Sequence, residues 1–564
     1  MAAQWDREVD VLVAGSGAAG LTAAITAADA GLTALIVEST GRWGGTTMLS
    51  GGGLWMPNNP LMRKLGIQDS RADALTYMEA AIGDAGPASS IARREAFVDS
   101  VPRVFSLLAR LGVRWCAAKD YPDYYPDRPG GRVGRGIEVE SFDAKRLGEY
   151  VKLSRADEGL PAPLKTDDVW LLSRAWSTPT GFVRGARFVF RTVGGLASGK
   201  KLYGLGAALV MTLMEIVQRQ GTEVLLNSPV SELVLEDGRV VGAIVTTENG
   251  PVRIRARAGV ILGAGGFAQN KELRQKYHGM PGNSSAAAGD QGTAINVGAA
   301  AGGALALMDD AWWGSAVPMA DGTASFMLSE RSMPYGIIVD QAGNRYLNES
   351  ESYIDFGHEM IEHHRQTPTI PSWLILDIRH RRRYLSSSLL AGGKSLRANG
   401  TVVSANTIEE LAARLHIDPA ALRATVDRFN GFAKSGVDED FGRGRTVYDN
   451  YYGDPSVKPN PNLGALEKGP FTAVKVVPGD LGTKGGLLTD EHARVLDEGG
   501  TPIAGLYAAG NTTASVMGRT YPGPGSTIAP AVVFGYLAAL HAASYSAPVT
   551  PSEADLQKEK EPLA

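Results

Sequence analysis

VDVLVAGSGAAG, residues 9–20, is the stretch that decides the fold of this chain of 564 residues. It begins as an apolar run of the kind that forms a buried parallel strand, and it ends in a glycine-rich turn. Residues 21–30 are rich in alanine and predict a helix, and a second apolar run, residues 33–37, ends at Glu38. The order of strand, glycine turn, helix, strand and acid is the dinucleotide-binding fingerprint.

Each glycine of the turn has a physical role in this fingerprint. Gly15 permits the tight turn, Gly17 lets the backbone approach a pyrophosphate, and Gly20 lets the helix pack closely on the strand. The N-terminus of the helix offers free N–H groups and a partial positive charge to phosphates. Glu38 is placed to accept hydrogen bonds from a ribose diol, which argues against a 2′-phosphate and therefore against NADP.

Further glycine clusters distinguish FAD from NAD. They lie at residues 44–53 (GGTTMLSGGG), 260–266 (VILGAGG) and 505–511 (GLYAAGN). Such segments are typical of backbone that lies close to a ligand, and the last two also follow apolar strand-like runs. A distribution over the N-terminal, middle and C-terminal parts of the chain is typical of a large FAD-binding domain that contains an insertion. We therefore predict FAD as the cofactor.

The predicted fold class is α/β, with a Rossmann-type FAD-binding domain and an inserted α+β catalytic domain. We assign residues 1–306 and 470–564 to the FAD-binding domain, and residues 307–469 to the insertion. Residues 150–201 are a less typical excursion within the FAD-binding domain.

This excursion interleaves basic and aromatic side chains, for example Arg184, Arg187 and Arg191 with Phe182 and Phe190. One interpretation is a solvated segment packed on the FAD-binding domain, and we favour it. The other is a patch that binds a membrane surface weakly.

Composition excludes several classes of protein. The formal net charge is −4, whereas a nucleic-acid-binding protein usually has an excess of basic residues. The single cysteine, Cys116, excludes an intramolecular disulfide framework, a cysteine-ligated iron–sulfur cluster and a thiolate zinc site, and we predict no metal. The first ten residues lack a basic stretch followed by an apolar run, so we expect no signal peptide and a cytoplasmic location.

Several motifs together resemble one family, the 3-ketosteroid Δ1-dehydrogenases, within the fumarate-reductase-like flavoproteins. The motifs lie at residues 50–57 (SGGGLWMP), 121–131, 308–313 (MDDAWW), 348–353 (NESESY) and 510–525, which ends in TYPGPG. The resemblance implies an FAD-dependent oxidoreductase of steroid metabolism that desaturates the C1–C2 bond of 3-ketosteroids. It also implies a non-nicotinamide electron acceptor such as a quinone.

The resemblance also implies the catalytic residues. Tyr521 and the N–H group of Gly525 match the pair that holds the C3 carbonyl oxygen of the steroid. Tyr353 matches the base that removes a proton from C2. Tyr124 matches the tyrosine that supports this base, although Tyr121 in the same loop is an alternative.

The residues that we predict to bind FAD belong to the glycine clusters and the segments around them. They are Gly15, Ser16, Gly17, Ala18, Ala19, Gly20, Glu38, Ser39, Gly45, Thr46, Thr47, Ser50, Gly51, Gly52, Val230, Gly265, Ala509, Gly510 and Asn511.

Three other functions remain as alternatives. The first is a 3-ketosteroid 4(5α)-desaturase or another cyclic-ketone flavin dehydrogenase, and the second is a flavin-binding electron carrier without turnover. The third is dicarboxylate chemistry, as in the fumarate reductases. It is disfavoured because residues 477–486 contain no histidine that could grip a dicarboxylate, and we expect Arg443 and Arg445 to be solvated.

Overall fold

The computed structural model describes residues 4–118, 120–159, 162–385 and 387–546, so residues 547–564 of the predicted FAD-binding segment lie outside the described residues. Within these ranges the strands are β1 (Arg7–Ala14), β2 (Ala34–Val37), β3 (Leu54–Trp55), β4 (Trp115–Ala117), β5 (Gly136–Val139), β6 (Phe142–Asp143), β7 (Leu202–Tyr203), β8 (Glu223–Leu225), β9 (Val230–Glu236), β10 (Arg239–Thr247), β11 (Gly250–Leu262), β12 (Leu305–Ala306), β13 (Ala311–Pro318), β14 (Ala324–Met327), β15 (Gly336–Val339), β16 (Ser372–Leu376), β17 (Val402–Ala405), β18 (Phe471–Thr483), β19 (Gly486–Leu487), β20 (Arg494–Leu496) and β21 (Pro502–Ala508). The α-helices are α1 (Ala18–Asp29), α2 (Gly45–Leu49), α3 (Pro60–Lys64), α4 (Arg71–Ile82), α5 (Ile91–Arg110), α6 (Thr166–Ser173), α7 (Pro179–Ala197), α8 (Leu205–Arg219), α9 (Lys271–His278), α10 (Thr293–Ala300), α11 (Tyr353–His364), α12 (Ile378–Arg383), α13 (Ser387–Ala398), α14 (Ile408–Leu415), α15 (Pro419–Ser435), α16 (Val447–Tyr452) and α17 (Ile528–Ser546).

The first sheet is built around the predicted β1–α1–β2 unit. Its strand order is β20-β21-β11-β1-β2-β8, and β1 pairs in parallel with both β11 and β2. Strands β9 and β10 form an antiparallel extension on β11. The three glycine clusters follow β2, β11 and β21, so all three lie at the carboxyl edge of one parallel sheet, where ligands of such sheets bind.

Helices α8 and α17 both pack against α1 beside this sheet. Helix α1 is buried over almost its whole length, which explains why its sequence consists mostly of small and apolar residues. Among the described residues, α17 is the one helix whose length and composition would suffice to cross a membrane. It packs along α1, and 61% of its apolar window is buried, as in a core helix.

The second sheet belongs to the insertion. Its order is β14-β13-β18-β16-β15, with β17 also paired to β18, and helices α14 and α15 pack together beside it. Strand β18 was expected in the FAD-binding domain, because the predicted return lies at residue 470. In the structure the backbone of β18 pairs with β13, β16 and β17, so the chain leaves the second sheet only after Thr483. The structure otherwise confirms an α/β fold with an inserted α+β unit.

The excursion at residues 150–201 contacts both parts of the molecule. The N–H group of Arg155 donates to the carbonyl oxygen of Trp43 in the FAD-binding part, and the N–H group of Leu385 donates to that of Ser173 in the excursion. Helices α6 and α7 pack against each other as a hairpin.

Candidate active site

A cavity of about 340 Å³ runs from the N-terminus of α1 to a cluster of tyrosines. Most of the predicted cofactor residues line it: Gly15, Ser16, Gly17, Ala18, Ala19, Glu38, Ser39, Gly45, Thr46, Thr47, Ser50, Gly51, Gly52, Gly265, Gly510 and Asn511. Gly20, Val230 and Ala509 do not line it. All four predicted catalytic residues do: Tyr124, Tyr353, Tyr521 and Gly525.

The glycine turn shapes one end of the cavity. A Cβ atom on Gly20 would lie 1.9 Å from the carbonyl oxygen of Gly15, so this residue serves the packing of α1 on β1 and not the ligand. A Cβ atom on Gly17 would meet only the Thr47 hydroxyl, at 3.5 Å, and would otherwise point into the cavity. Gly17 is also the N-cap of α1 and has no side chain to cap the helix. The N–H group of Ala18 donates to the Thr47 hydroxyl at 3.2 Å, which leaves the other N–H groups of the first turn for an anion in the cavity.

Glu38 is held at the end of β2 by a network of donors. Its Oε2 accepts hydrogen bonds from the N–H and hydroxyl groups of Ser16, at 3.2 and 2.6 Å. Its Oε1 accepts from the N–H group of Thr40 at 3.1 Å. The hydroxyls of Ser39 and Thr40 also contact Oε1, at 3.3 and 3.1 Å. A carboxylate has about four acceptor sites, so this network orients Glu38, and a ribose hydroxyl would take the place of one of the hydroxyl donors.

Two charged residues that the sequence analysis missed also line this cavity. Asp290 is buried with its Oδ1 atom unpartnered, and burial, opposed by the N–H group of Gly266, raises its pKa to about 7. Arg155 lies near Glu38 and donates to the Thr40 hydroxyl at 2.8 Å. No motif marks either residue, because both enter from segments distant in sequence.

The opposite end of the cavity is formed by aromatic rings from three places in the chain. Tyr353 is the first residue of α11, Tyr521 lies in the loop before α17, and Tyr124 lies in the loop between β4 and β5. The ring centres of Tyr353 and Tyr521 are 5.0 Å apart, and Tyr124 lies 5.5 Å from Tyr353 and 5.1 Å from Tyr521. The fold thus brings the three predicted tyrosines into mutual contact.

Both tyrosines that were considered as support for the base are present in the cavity. The hydroxyls of Tyr121 and Tyr124 lie 3.3 Å apart, and the Tyr121 hydroxyl also contacts that of Tyr452. Only Tyr124 stacks against Tyr521 and also contacts the ring of Tyr353 among the ring contacts of the described residues. Tyr121 therefore links the hydroxyl of Tyr124 to that of Tyr452.

Burial controls the ionisation of this cluster. It raises the pKa of Tyr353 and Tyr124 well above the ordinary value, and that of Tyr121 to about 12. Burial also raises the pKa of Tyr521, against the opposing effect of the Thr527 hydroxyl, the Tyr353 hydroxyl and the N–H group of Gly525. At neutral pH the hydroxyls are protonated, so Tyr521 and the N–H group of Gly525 are two donors at one position.

Gly525 is fixed by its surroundings. Its φ is +91°, and a Cβ atom there would lie 2.1 Å from the carbonyl oxygen of Gly53. The Tyr-Pro-Gly-Pro-Gly turn therefore packs directly on the glycine segment that follows β2, and this contact joins the tyrosine end of the cavity to the glycine-lined end.

Buried polar groups hold the loop that carries Tyr521 in position. Lys484 donates to the carbonyl oxygen of Thr520 at 3.0 Å and lies 3.6 Å from Asp310. Burial lowers the pKa of this lysine to about 8, against the opposing effect of Asp310. Trp312 packs edge-on against the ring of Tyr521 and donates to Asn511 at 3.1 Å. The sequence analysis did not assign a role to Lys484.

Arg443 departs from the expectation of a solvated side chain, whereas Arg445 is exposed. Arg443 is 1% exposed and donates to the carbonyl oxygen of Gly336 at 2.8 Å and to Glu349 at 3.1 Å. A buried guanidinium needs such partners, and here they lie within the inserted part and not on the cavity. This geometry keeps Arg443 away from a dicarboxylate in the cavity.

Comparisons with known proteins agree with this geometry. A model of the FAD binding domain family matches residues 10–528. The 3-oxosteroid 1-dehydrogenase of Mycolicibacterium smegmatis is 44% identical, over 96% of this chain and 98% of the relative. The chain belongs to the FAD-binding 3-oxosteroid 1-dehydrogenase family. It is accordingly a flavin-dependent oxidoreductase.

Two further relatives bear on the substrate. A crystal structure of 3-ketosteroid Δ1-dehydrogenase from Sterolibacterium denitrificans, in complex with 1,4-androstadiene-3,17-dione, superposes with a TM-score of 0.88 at 34% identity and covers 96% of this chain and 100% of that one. The 4-oxocyclohex-2-ene-1-carboxylate 5-dehydrogenase of Sinomonas cyclohexanicum is 37% identical, over 94% of this chain and 92% of the relative.

The cavity fits FAD by its own chemistry. The uncapped turn of α1 suits a pyrophosphate, and Glu38 suits a ribose. The orphaned Oδ1 atom of Asp290 needs a donor, and the hydroxyl and amide groups of FAD are donors of that kind.

Proposed function

We propose that this protein is a 3-oxosteroid 1-dehydrogenase, which desaturates the C1–C2 bond of 3-ketosteroids. The observation that carries the proposal is the convergence of Tyr353, Tyr521, Tyr124 and Gly525 at one end of a cavity whose other end fits FAD. Desaturation next to a ketone requires a donor pair at the carbonyl oxygen, a base at the adjacent carbon and a hydride acceptor.

Tyr521 and Gly525 supply the donor pair in this proposal. As the proton leaves C2, negative charge develops on the C3 carbonyl oxygen. The hydroxyl of Tyr521 and the N–H group of Gly525 would both donate to that oxygen in a site that excludes water. A single donor of this type contributes about 3–4 kcal/mol to transition-state stabilisation.

Tyr353 is the base that we propose for C2. Its phenolate oxygen takes the C2 proton, and the electrons of the C–H bond move toward C3. Since burial raises the pKa of Tyr353, its phenolate form is scarce at neutral pH. The hydroxyls of Tyr124 and Tyr121 can stabilise the phenolate by donating to it in turn, which is the role that we propose for Tyr124.

FAD, when bound, supplies the acceptor for the hydride that leaves C1. The residues of this chain that would hold it are the first turn of α1, Glu38 and the segment of residues 45–52. The remaining task of the protein is to hold the steroid A-ring between the tyrosines and this cofactor end.

The lining of the cavity favours a neutral apolar substrate over a carboxylated cyclic ketone. Phe326, Leu328, Leu481 and Val169 line it. Among its described lining residues the one basic side chain is Arg155, which lies at the Glu38 end and pairs with Glu158. An oxocyclohexane carboxylate would need a cation near the tyrosines, where this cavity offers none.

A cytoplasmic location and a quinone electron acceptor complete the proposal. The supporting observation for the acceptor is that the sequence carries one complete strand–GxGxxG–helix fingerprint with its terminal acid, at residues 9–38, and no second one for a nicotinamide.

The test is reduction of the purified holoenzyme by substrate. Anaerobic addition of androst-4-ene-3,17-dione should bleach the oxidised flavin bands and yield the 1,4-diene. Tyr353→Phe and Tyr521→Phe should keep the flavin and lose about 100-fold or more in the rate of bleaching. Tyr346→Phe is the matched control, because Tyr346 is another largely buried tyrosine, hydrogen-bonded to Ser372, outside the cavity. Wild-type rates in the first two variants would refute the mechanism, and bleaching by 4-oxocyclohexanecarboxylate alone would refute the substrate.

A further inference from the structure

Tyr77, in the middle of α4, joins the two loops that carry Tyr124 and Tyr521. Its side chain is fully buried and does not line the cavity. Its hydroxyl donates to the carbonyl oxygen of Pro522 at 2.5 Å and accepts a hydrogen bond from the N–H group of Tyr125 at 3.1 Å. Pro522 directly follows Tyr521, and Tyr125 directly follows Tyr124. One hydroxyl therefore binds the backbone next to both tyrosines.

The carbonyl oxygen of Pro522 also binds the loop of Tyr124 directly. The N–H group of Tyr124 donates to it at 2.9 Å. Since a carbonyl oxygen has two lone pairs, this N–H group and the hydroxyl of Tyr77 together satisfy it. The ring of Tyr124 stacks on that of Tyr521, with the ring centres 5.1 Å apart and the planes inclined by 17°. The hydrogen bonds at Pro522 therefore determine how the two rings meet.

Close packing on α4 keeps Tyr77 and the loop of Tyr124 together. Gly130, in that loop, has a φ of +76°, and a Cβ atom there would lie 2.4 Å from the carbonyl oxygen of Asp73 and 2.8 Å from the backbone nitrogen of Tyr77. The loop therefore lies directly on the backbone of α4. On another side the ring of Trp55 packs against that of Tyr77, with the ring centres 5.9 Å apart.

Buried charges beside Tyr77 fix its ring and keep its hydroxyl protonated. The guanidinium of Arg135 lies 5.2 Å from the centre of the Tyr77 ring. Arg135 is itself fully buried between the carboxyl groups of Asp69 and Asp123, at 2.6 Å from each. Burial, together with the charge of Asp123, raises the pKa of Tyr77 well above its ordinary value. The hydroxyl therefore keeps the proton that it donates to Pro522.

We propose that Tyr77 is a positioning residue for the desaturation, a role that rests on the proposed function. Its hydroxyl fixes Tyr521, which holds the C3 oxygen, relative to Tyr124, which supports the base. Because Tyr77 does not line the cavity, it acts through these two tyrosines and not on the steroid. Without the hydroxyl, the N–H group of Tyr125 loses its acceptor and Pro522 keeps only one of its two donors. The donor at C3 and the support of the base then lose their common alignment.

The test is rapid mixing of the Tyr77→Phe holoenzyme with androst-4-ene-3,17-dione under anaerobic conditions. The phenyl ring keeps the packing against Trp55 and Arg135, and only the hydroxyl is removed. The rate of flavin reduction at saturating steroid should fall about tenfold to 100-fold, because misalignment of this size has such an effect. The steroid concentration that gives half of the maximal rate should change less than about threefold, because the apolar lining of the cavity is intact.

Two further variants separate positioning from a loss of stability. Tyr346→Phe is the matched control, because Tyr346 is also a largely buried tyrosine, and its hydroxyl contacts Ser372 outside the cavity. It should reduce its flavin at the wild-type rate even where its thermal stability falls as much as that of Tyr77→Phe. Replacement of Tyr77 by p-aminophenylalanine restores a donor to Pro522 and should recover most of the lost rate.

Vibrational difference spectroscopy of the bound 1,4-diene product reports on the donor pair without turnover. Hydrogen bonds from Tyr521 and Gly525 lower the stretching frequency of the C3 carbonyl group. This frequency should rise in Tyr77→Phe, because misaligned donors form weaker hydrogen bonds. It should stay at the wild-type value in Tyr346→Phe.

Any of four outcomes would overturn the positioning role of Tyr77. They are an undiminished rate in Tyr77→Phe, an equal loss in Tyr346→Phe, a carbonyl frequency that Tyr77→Phe leaves unchanged, and no recovery of rate with p-aminophenylalanine. If steroid bleaches the wild-type flavin in these experiments, such an outcome refutes the positioning role alone. A wild type that steroid does not bleach would refute the proposed function, and the positioning role with it.

Discussion

Gly525 combines a backbone constraint with a chemical role at one residue. Its left-handed φ and its contact with the carbonyl oxygen of Gly53 exclude any side chain, and its N–H group lies close enough to the Tyr521 hydroxyl to lower the pKa of that tyrosine. Gly525 is therefore conformationally fixed although it lies in a loop. The loop is shaped by its packing on another glycine segment, which is the precondition for an oriented donor.

Gly525→Ala should lower the rate of flavin reduction by steroid about 100-fold or more, because the added methyl group displaces either Gly525 or Gly53 and misaligns the donor pair. Gly500→Ala is the matched control. Gly500 has a comparable φ of +79° but no atom within 4 Å of the added Cβ. Rapid-mixing spectroscopy and thermal unfolding of both variants test this. Equal activity losses in the two would attribute the effect to backbone strain and not to the contact.

The ionisation of Tyr353 predicts a pH–rate profile. A base whose pKa is raised is mostly protonated at neutral pH, so its active fraction grows as pH rises. The rate of reduction should therefore increase by close to tenfold per pH unit from pH 7 to the alkaline limit of the folded enzyme. Single-turnover reduction across this range measures it, with flavin retention checked at each pH. A flat profile would exclude Tyr353 as a base that must first ionise.

At the scale of the element, two glycines of the β1–α1 turn have different roles: Gly17 serves ligand binding and Gly20 serves folding. Gly17→Ala should fold with nearly unchanged thermal stability, since its Cβ atom would have ordinary contacts, yet it should weaken FAD binding at least tenfold by entering the phosphate space. Gly20→Ala should instead unfold at a clearly lower temperature, because its Cβ atom would clash with Gly15. Calorimetry of the apoproteins and FAD titration measure the two effects. Undiminished FAD affinity in Gly17→Ala would contradict the assignment of the turn.

Strand β18 ends one residue before Lys484, and this connection predicts a positioning effect. Lys484→Met removes the hydrogen bond to Thr520, so Tyr521 should lose its fixed orientation and reduction should slow about tenfold to 100-fold. Binding of FAD should persist, since Lys484 does not line the cavity. Lys475→Met is the control. Lys475 belongs to β18, and its ammonium group lies over the ring of Trp373, away from the site. A change in KM with kcat unchanged would contradict positioning.

Local sequence predicted the elements better than their partners. The β1–α1–β2 unit follows from hydrophobic pattern and glycine spacing, both of which are local. The pairing of β18 with β13, β16 and β17 depends on contacts across more than a hundred residues for β13, which no local pattern encodes. For the same reason Asp290, Arg155 and Lys484 escaped the sequence analysis, whereas the TYPGPG motif marked Tyr521 and Gly525.

At the scale of the whole molecule, the active site is a junction between two units, and the apolar core around it contains residues of both, for example Leu21 and Tyr353. Tyr353 belongs to the inserted part, and Tyr521 to the return into the FAD-binding part. The hydroxyl of Tyr125 donates to Asp355 at 3.1 Å, so the junction also has a polar connection beside the tyrosines. Global stability therefore determines whether the catalytic geometry exists, and the buried titratable groups make that stability depend on pH.

His380 supplies the clearest such dependence. It is 2% exposed, and burial lowers its pKa from 6.5 to about 4, although its ring contacts the carbonyl oxygen of Glu330 at 3.1 Å. Between these two pKa values, His380 binds a proton in the unfolded chain but stays neutral in the native state. Its contribution to the free energy of unfolding is therefore retained above pH 6.5 and lost as pH falls, by about 2 kcal/mol at pH 5 and about 3 kcal/mol below pH 4.

His380→Gln keeps a polar group near Glu330 and removes this titration, so the variant should lose less stability than wild type between pH 7 and pH 5. Comparison with the variant is necessary because burial raises the pKa of Asp123 to about 6, and protonation of that carboxyl favours the native state as pH falls. Denaturant unfolding at both pH values, with His492→Gln as the exposed control, isolates the contribution of His380. Parallel losses in wild type and His380→Gln would show that the native state accommodates the charged imidazole and would contradict this prediction.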